Sequence, residues 1–230
     1  MTALRGRPGE IELHLGAGRT HMDGWVNCDL YPAPGVDVVF DLMQPWPFAD
    51  NTVRTLYASH VLEHLPDPRA FFREAWRVCR PNAEVILRVP YGAHDSAMWD
   101  LTHLRPWFGE SFCFLTPGYA EGTKNPQHGD WQWPFGIHVV RFRVHGRLAW
   151  HLRRRWLQWL WPYVRFIWNG IEELNVGLYP LKSPEAIAEY QSRHPAMTFA
   201  ASYCAGEHHL QGKTDAPGPG GYNLVDIVTY

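Results

Sequence analysis

No run of about 18 apolar residues occurs in this 230-residue chain, so the sequence holds no membrane-spanning helix. The first ten residues, MTALRGRPGE, lack the apolar core of a secretory leader. Cysteines are few and scattered: Cys28, Cys79, Cys113 and Cys204 form no CxxC pair, and three of them sit in apolar runs. That usage reads as buried thiols in a reducing compartment. Charge of one sign is missing too, since the formal net charge is -2, which argues against a protein built as a whole to hold nucleic acid. There is no internal repeat. The expectation is a soluble, cytoplasmic protein. Apolar and aromatic residues are plentiful, at 46% and 14% with 12 Trp, enough for one α/β domain with a decorated C-terminal part.

Short apolar runs at 11–15 (IELHL), 25–30 (WVNCDL), 36–42 (VDVVFDL), 53–59 (VRTLYAS) and 84–90 (EVILRVP) read as strands, and 137–145 (IHVVRFRVH) as a further one. Strands apolar on both faces suit a parallel sheet covered by helices. A helix opens at Asp67-Pro68, buries Phe71, Phe72, Ala75, Trp76 and Cys79, carries Arg77 and Arg80 in its last turn, and stops at Pro81-Asn82. The alternation predicts a Rossmann-like, doubly wound, mostly parallel α/β sheet over residues 1–146. Residues 92–136 read as long loops around a short helix near 109–115. A helical segment at 147–196 and a tail at 197–230, with a Gly/Pro-rich loop and a terminal strand in YNLVDIVTY, elaborate the C-terminal region.

Ligands of such sheets bind beyond the C-terminal strand ends, which gathers Gly16–Gly18, Asp29, Asp41 and Ser59–His60 around one crevice. Gly16-Ala17-Gly18 lets backbone approach a ligand closely. A dinucleotide site would need a third glycine and a full helix whose N-terminus holds the pyrophosphate. Here Thr20 or His21 takes the third place, and only Arg19 to Gly24 precede the next strand. The missing helix and the absence of a nearby lysine favour a cationic nucleoside without phosphate, and disfavour an NAD-type oxidoreductase. Asp29 is placed for a ribose diol, and Asp41 for an adenine amino group with Leu42 as an apolar wall.

The run LHLGAGRTHMDGWVNCDLYPAPGVDVVFDLMQPWPFADNTVRTLYASHVLEHL resembles class I S-adenosylmethionine-dependent methyltransferases, and most closely a small subgroup with a shortened first connection. The likeness continues through FFREAWRVCRPNAEVILRVPY and DLTHLRPWFGESF, covering about residues 11–115. The usual Pro-Gly-Gly after the helix is Pro81-Asn82-Ala83 here, and Asn also adopts the left-handed turn. The resemblance implies a class I methyltransferase fold with S-adenosyl-L-methionine as cofactor and S-adenosyl-L-homocysteine as product. Gly16, Ala17, Gly18, Asp29, Leu30, Asp41, Leu42, Ser59 and His60 would bind the cofactor, with Ser59 and His60 beside the transferred methyl. The QPWPFAD loop packs the sheet edge, with Phe48 under the adenine as the weaker alternative.

Transfer from a sulfonium needs alignment and exclusion of water, and a hydroxyl acceptor benefits from a base of near-neutral pKa. His60, His64 and His103 are the candidate bases, with Tyr91, Asp95, Asp100 and Arg105 as acceptor contacts. In SHVLEH, His60, Glu63 and His64 fall on one helical turn, and His60 and His64 share a face. Some quinone-ring methyltransferases with a similar LEH segment hold a divalent ion there, beside an additional acid. Ser59 or His60 takes that acid's place here, so a divalent metal is not favoured and no metal ligand is assigned.

From Arg141 to Trp168 there are seven Arg, five Trp and no acid. Residues 147–168 read as an amphipathic helix, interrupted at Pro162, that packs on its own sheet. The alternatives are a lid, a homodimer contact, or peripheral contact with the anionic inner face of a membrane. The expected function is in-line O-methylation of a small-molecule or glycan-type acceptor with a histidine base. A nucleic-acid methyltransferase and a catalytically silent binding module are the alternatives.

Overall fold

The computed structural model describes residues 11–117, 132–144, 167–194 and 224–227. Its core is a run of parallel strands, apolar on both faces except at the edge strand β3. They are β1 (Ile11–Leu15), β2 (Val26–Asp29), β3 (Val38–Val39), β4 (Val53–Ser59) and β5 (Cys79–Pro90). All five run parallel, in the order β3-β2-β1-β4-β5. Beyond β5 the sheet continues with β7 (Ile171–Pro180), antiparallel to its neighbours, then β6 (Phe135–Val144) and β8 (Leu224–Ile227). This is the doubly wound, mostly parallel α/β sheet that the apolar runs predict.

Residues 16–25 join two parallel strands without a helix. Asn27, buried in β2, satisfies the polar groups that a helix would otherwise serve. Its Oδ1 accepts from the Met22 N–H at 3.0 Å, and its Nδ2 donates to the Met22 and Trp25 carbonyls at 3.2 and 3.1 Å. The Asp37 carboxylate accepts the Asn27 N–H at 2.8 Å, and those bonds from Asn27 hold Asp37 below the ordinary carboxylate range. With Asp37 so occupied and Asp41 accepting from Met43, β3 shrinks to Val38–Val39 from the expected 36–42.

Helix α1 (Pro68–Val78) starts as the sequence predicts: the Asp67 side chain accepts the Arg69 N–H at 2.9 Å, and proline fills the first position. It ends earlier than predicted. Cys79 is already extended, because Asn51 and Thr52 donate to the Arg77 and Val78 carbonyls and draw off the last turn. The left-handed residue foreseen at Asn82 is there, at φ 59°, inside the long β5. Fully buried Phe71 packs edge-on against Trp46, and truncating it to alanine would cost about 3–5 kcal/mol. Arg77 then pins the QPWPFAD loop, donating to the Phe48 and Trp46 carbonyls and pairing with Glu74 and Asp50. That clamp fixes Asp41, Leu42 and Met43 at the sheet rim.

The segment read as helical, 147–196, holds β7 and then α3 (Pro184–Arg193), so its second half is sheet as well as helix. Alternation within IEELNVGLYP is weak because both faces of β7 are covered: Leu174, Val176 and Leu178 are buried, and so is Glu173. The short helix expected near 109–115 is a 3-10 turn, Gly109–Leu115, preceded by the four-residue α2 (Asp95–Met98). The Trp/Arg-rich helix expected over 147–168 and the GKTDAPGPGG loop lie outside the described residues, save Ile167 and Trp168. No helix among the described residues is long and apolar enough to cross a membrane.

Candidate active site

Beyond the C-terminal ends of β1, β2 and β4 lies a cavity of about 450 Å³ lined by Gly16, Asp29, Leu30, Asp41, Leu42 and His60, among others. Its shape starts at the glycine turn. Gly16 has φ +67°, and a Cβ there would stand 2.2 Å from Val61 Cγ2, so only glycine lets β1 end against the 60–66 loop. Gly18, at φ +55°, donates its N–H to Asp29 Oδ2 at 2.7 Å. Asp29 Oδ1 accepts the Tyr31 N–H at 3.0 Å. A carboxylate has about four acceptor positions, so two remain for a ligand diol. Ala17 is buried, its N–H bonded to the Cys28 carbonyl.

At the far wall Asp41 Oδ1 accepts the Met43 N–H at 2.8 Å, which is the turn-capping arrangement, while the residue also lines the cavity. Leu30, Leu42, Met43 and Phe40 make this end apolar. Phe40 is the aromatic of the cavity wall; Phe48, the alternative from sequence, is buried and packs edge-on against Phe40. Cys28 borders the cavity, but burial pushes its thiol up to about 12, so it stays a neutral thiol at ordinary pH.

The opposite end is built around His60. Its backbone is left-handed, φ +55°, and a 3-10 turn begins only at Leu62. His60 and His64 therefore do not share a helical face, which corrects the reading of SHVLEH. The left-handed residue costs about 1–2 kcal/mol and turns the imidazole toward two carboxylates. Nε2 lies 3.1 Å from Glu173 Oε2 and Nδ1 lies 3.2 Å from Glu63 Oε1. The hydrogen-bonded Glu173 carboxylate and then the neighbouring Glu63 carboxylate raise the His60 pKa from the ordinary 6.5 to about 9, against the opposing effect of burial. With 47% of its side chain exposed, solvent tempers that shift. At neutral pH both ring nitrogens carry hydrogens that face carboxylates, so His60 has no lone pair with which to accept a proton.

Glu173, 4% exposed, was not foreseen from sequence. Burial would raise its pKa, but bonds from His60 and Arg88 outweigh that and hold it below the usual carboxylate range. Arg88 donates to Oε1 from Nε at 2.9 Å and from Nη2 at 2.8 Å, and its Nη1 donates to the Tyr57 hydroxyl at 3.1 Å. The signal that could have found Glu173 is an acid inside an otherwise apolar strand run.

The remaining predicted residues separate into two groups. His64 lines the cavity, and His103 packs edge-on against it at 4.7 Å between ring centroids. Ser59, at the end of β4, is half-buried and does not line the cavity. Tyr91 is 4% exposed and packs on Phe108 and Phe142, in the core and not on the cavity wall. Asp95 accepts from Trp168 Nε1 and Asn169 Nδ2, stitching α2 to the start of β7. Asp100 accepts from the Thr102 N–H and hydroxyl, and Arg105 donates to the Pro66 carbonyl at 2.8 Å. These two brace the loops around His64 and His103.

Residues 26–87 match the family described as a methyltransferase domain. Over 62 residues the chain is 39% identical to an uncharacterized methyltransferase of Mycobacterium sp. strain KMS, an alignment covering 25% of this chain and 23% of that relative. Residues 26–87 are thus similar to a methyltransferase domain. The chain spans about a quarter of the length of that mycobacterial relative, 23%. Among solved structures, a SAM-dependent methyltransferase from Archaeoglobus fulgidus superposes with TM-score 0.49 at 13% identity, over 75% of this chain and 87% of that one. An S-adenosylmethionine-dependent methyltransferase from Mesorhizobium loti does so with TM-score 0.39 at 16% identity, over 77% and 94%. The methyltransferase-domain match begins at β2 and ends within β5, so it contains Asp29, Asp41, His60, Glu63 and His64.

Proposed function

We propose that this protein transfers a methyl group from S-adenosylmethionine to a hydroxyl of a small-molecule or glycan-type acceptor. The observation that carries the reading is Asp29: its carboxylate folds back onto Gly18, beside Gly16, and faces the same cavity. The residues fit the cofactor. Asp29 offers two unused acceptor positions to a ribose diol, Leu30, Phe40, Leu42 and Met43 form a slot for a flat base, and among the described residues no lysine lines the cavity for a phosphate. When bound, the cofactor supplies an electrophilic methyl on a sulfonium. The chain's own part is to grip, orient and exclude water. His60 adds no unopposed positive charge to the wall, since Glu63 and Glu173 flank it. With both of its nitrogens so engaged, His60 is not the base that takes the acceptor's proton.

Calorimetry with S-adenosylhomocysteine tests this directly, and a failure to bind would sink the reading. Asp29→Ala is expected to weaken that binding by about 1–3 kcal/mol, because the diol loses its acceptor and the Gly18 N–H its partner. An unchanged affinity would refute the role given to Asp29.

A further inference from the structure

Glu63 is 1% exposed, and neither of its carboxylate oxygens has a hydrogen-bond partner among the described residues. Oε1 is ion-paired with the His60 ring nitrogen at 3.2 Å, which leaves Oε2 without a partner among the described residues. A buried carboxylate oxygen left this way is expensive, and it normally accepts a hydrogen bond or holds a cation. One ligand atom from each of Glu63, His64 and His103 lies within 4.8 Å of the other two.

The two imidazoles are turned as metal ligands are. His103 Nδ1 lies 3.3 Å from the Ala97 carbonyl, so that nitrogen carries the hydrogen and the neutral ring keeps its lone pair on Nε2. His64 Nδ1 faces the Thr102 carbonyl at 3.3 Å and the Thr102 hydroxyl at 3.0 Å. That hydroxyl donates to Asp100 at 2.7 Å, so it accepts from His64, whose lone pair is again on Nε2. A ring nitrogen anchored on an acceptor, with the other free to take a cation, is the outer-shell arrangement that orients metal-binding histidines; His103 Nε2 has only the Asp100 carboxylate near it, at 3.8 Å. The two loops are also strapped together independently of any ion, by the Leu104 N–H on the Glu63 carbonyl at 2.8 Å and by Arg105 on Pro66. The donors are thus pre-positioned from separate parts of the chain.

We propose that Glu63, His64 and His103 form a binding site for a divalent transition cation of zinc's kind, at the edge of the cavity that His64 lines. Two imidazoles and one carboxylate are a borderline donor set that favours zinc over magnesium and leaves a coordination position open. This ligand set includes a histidine from the loop after β5 and excludes His60. It stands whether or not the protein transfers methyl groups.

The test uses the full chain, stripped with a chelator and titrated with Zn2+ alone by calorimetry and with Co2+ alone by visible absorption. One equivalent is expected to bind, with cobalt bands of a low-symmetry nitrogen–oxygen site. His103→Asn and the isosteric Glu63→Gln should each weaken Zn2+ by about 100-fold or more, and His194→Ala, far from the cluster, should not. Absence of stoichiometric Zn2+ binding would overturn the proposal. So would Zn2+ binding that survives in both variants, or Mg2+ binding of equal strength. S-adenosylhomocysteine affinity measured on His103→Asn separates this outcome from the fate of the methyltransferase reading, since His103 does not line the cavity and that affinity should hold.

Discussion

The two ends of the cavity are built by opposite strategies. At the glycine end, Gly16, Gly18 and Asp29 lie within fourteen residues, and backbone hydrogen bonds from neighbouring strand ends fix them. At the histidine end, His60 follows β4 while Arg88 and Glu173 come from β5 and β7, and charge pairing holds them. The first end depends on conformation that only particular residues adopt; the second depends on mutual neutralisation of buried charge. Substitutions should therefore hurt the two ends in different currencies, sterics in one and pH in the other.

The largest effect is expected at the histidine end. Glu173→Gln keeps the shape but leaves Arg88 and His60 facing a neutral amide in a buried setting, and should cost about 3 kcal/mol by denaturant unfolding. It should also lower the His60 pKa from about 9 toward 6.5, read by NMR titration of the ring. In the wild type the folded protein binds this proton more tightly than the unfolded chain. The stabilisation is complete below about pH 6.5 and is lost as pH rises through about 9. After allowance for solvent at the half-exposed ring, about 1–2 kcal/mol should disappear over that window. A Glu173→Gln protein that retains the full alkaline slope would break the comparison.

The glycine end offers an internal contrast. Gly16→Ala places a methyl 2.2 Å from Val61 at a positive φ, and should cost about 2–4 kcal/mol and close part of the cavity. Gly18→Ala meets nothing within 4 Å, so only the left-handed backbone penalty of about 1–2 kcal/mol applies. Neither loss should vary with pH between 6.5 and 9, which unfolding curves at several pH values would check.

That difference in construction also explains what could be read in advance. β1, β2, β4 and β5 were visible because parallel strands covered on both sides are continuous apolar runs. The glycine turn and Asp29 were visible because short-range geometry leaves a local mark in sequence. Glu173 was not, since nothing local announces that the strand after residue 170 inserts between β5 and β6. The helical reading of SHVLEH failed for a related reason: spacing alone cannot register that His60 takes a left-handed backbone to reach a carboxylate 113 residues away. Tyr91, Asp95 and Arg105 have the right chemistry for acceptor contacts and stand in the right part of the chain, yet packing and loop strapping use them up.

Asp41 gives the finest cut, because it stands between capping a turn and binding a base. Its Oδ1 accepts the Met43 N–H, and an asparagine can present a carbonyl oxygen to that same N–H. Asp41→Asn should therefore leave thermal stability nearly unchanged while replacing the remaining acceptor with an amide N–H₂. If an adenine amino group donates there, S-adenosylhomocysteine binding falls by about 1 kcal/mol, measured by calorimetry. Asp41→Ala should show the same loss of affinity together with a loss of stability from the undone turn. Equal affinity in all three proteins would assign Asp41 to the turn alone and leave Asp29 as the acid that selects the ligand.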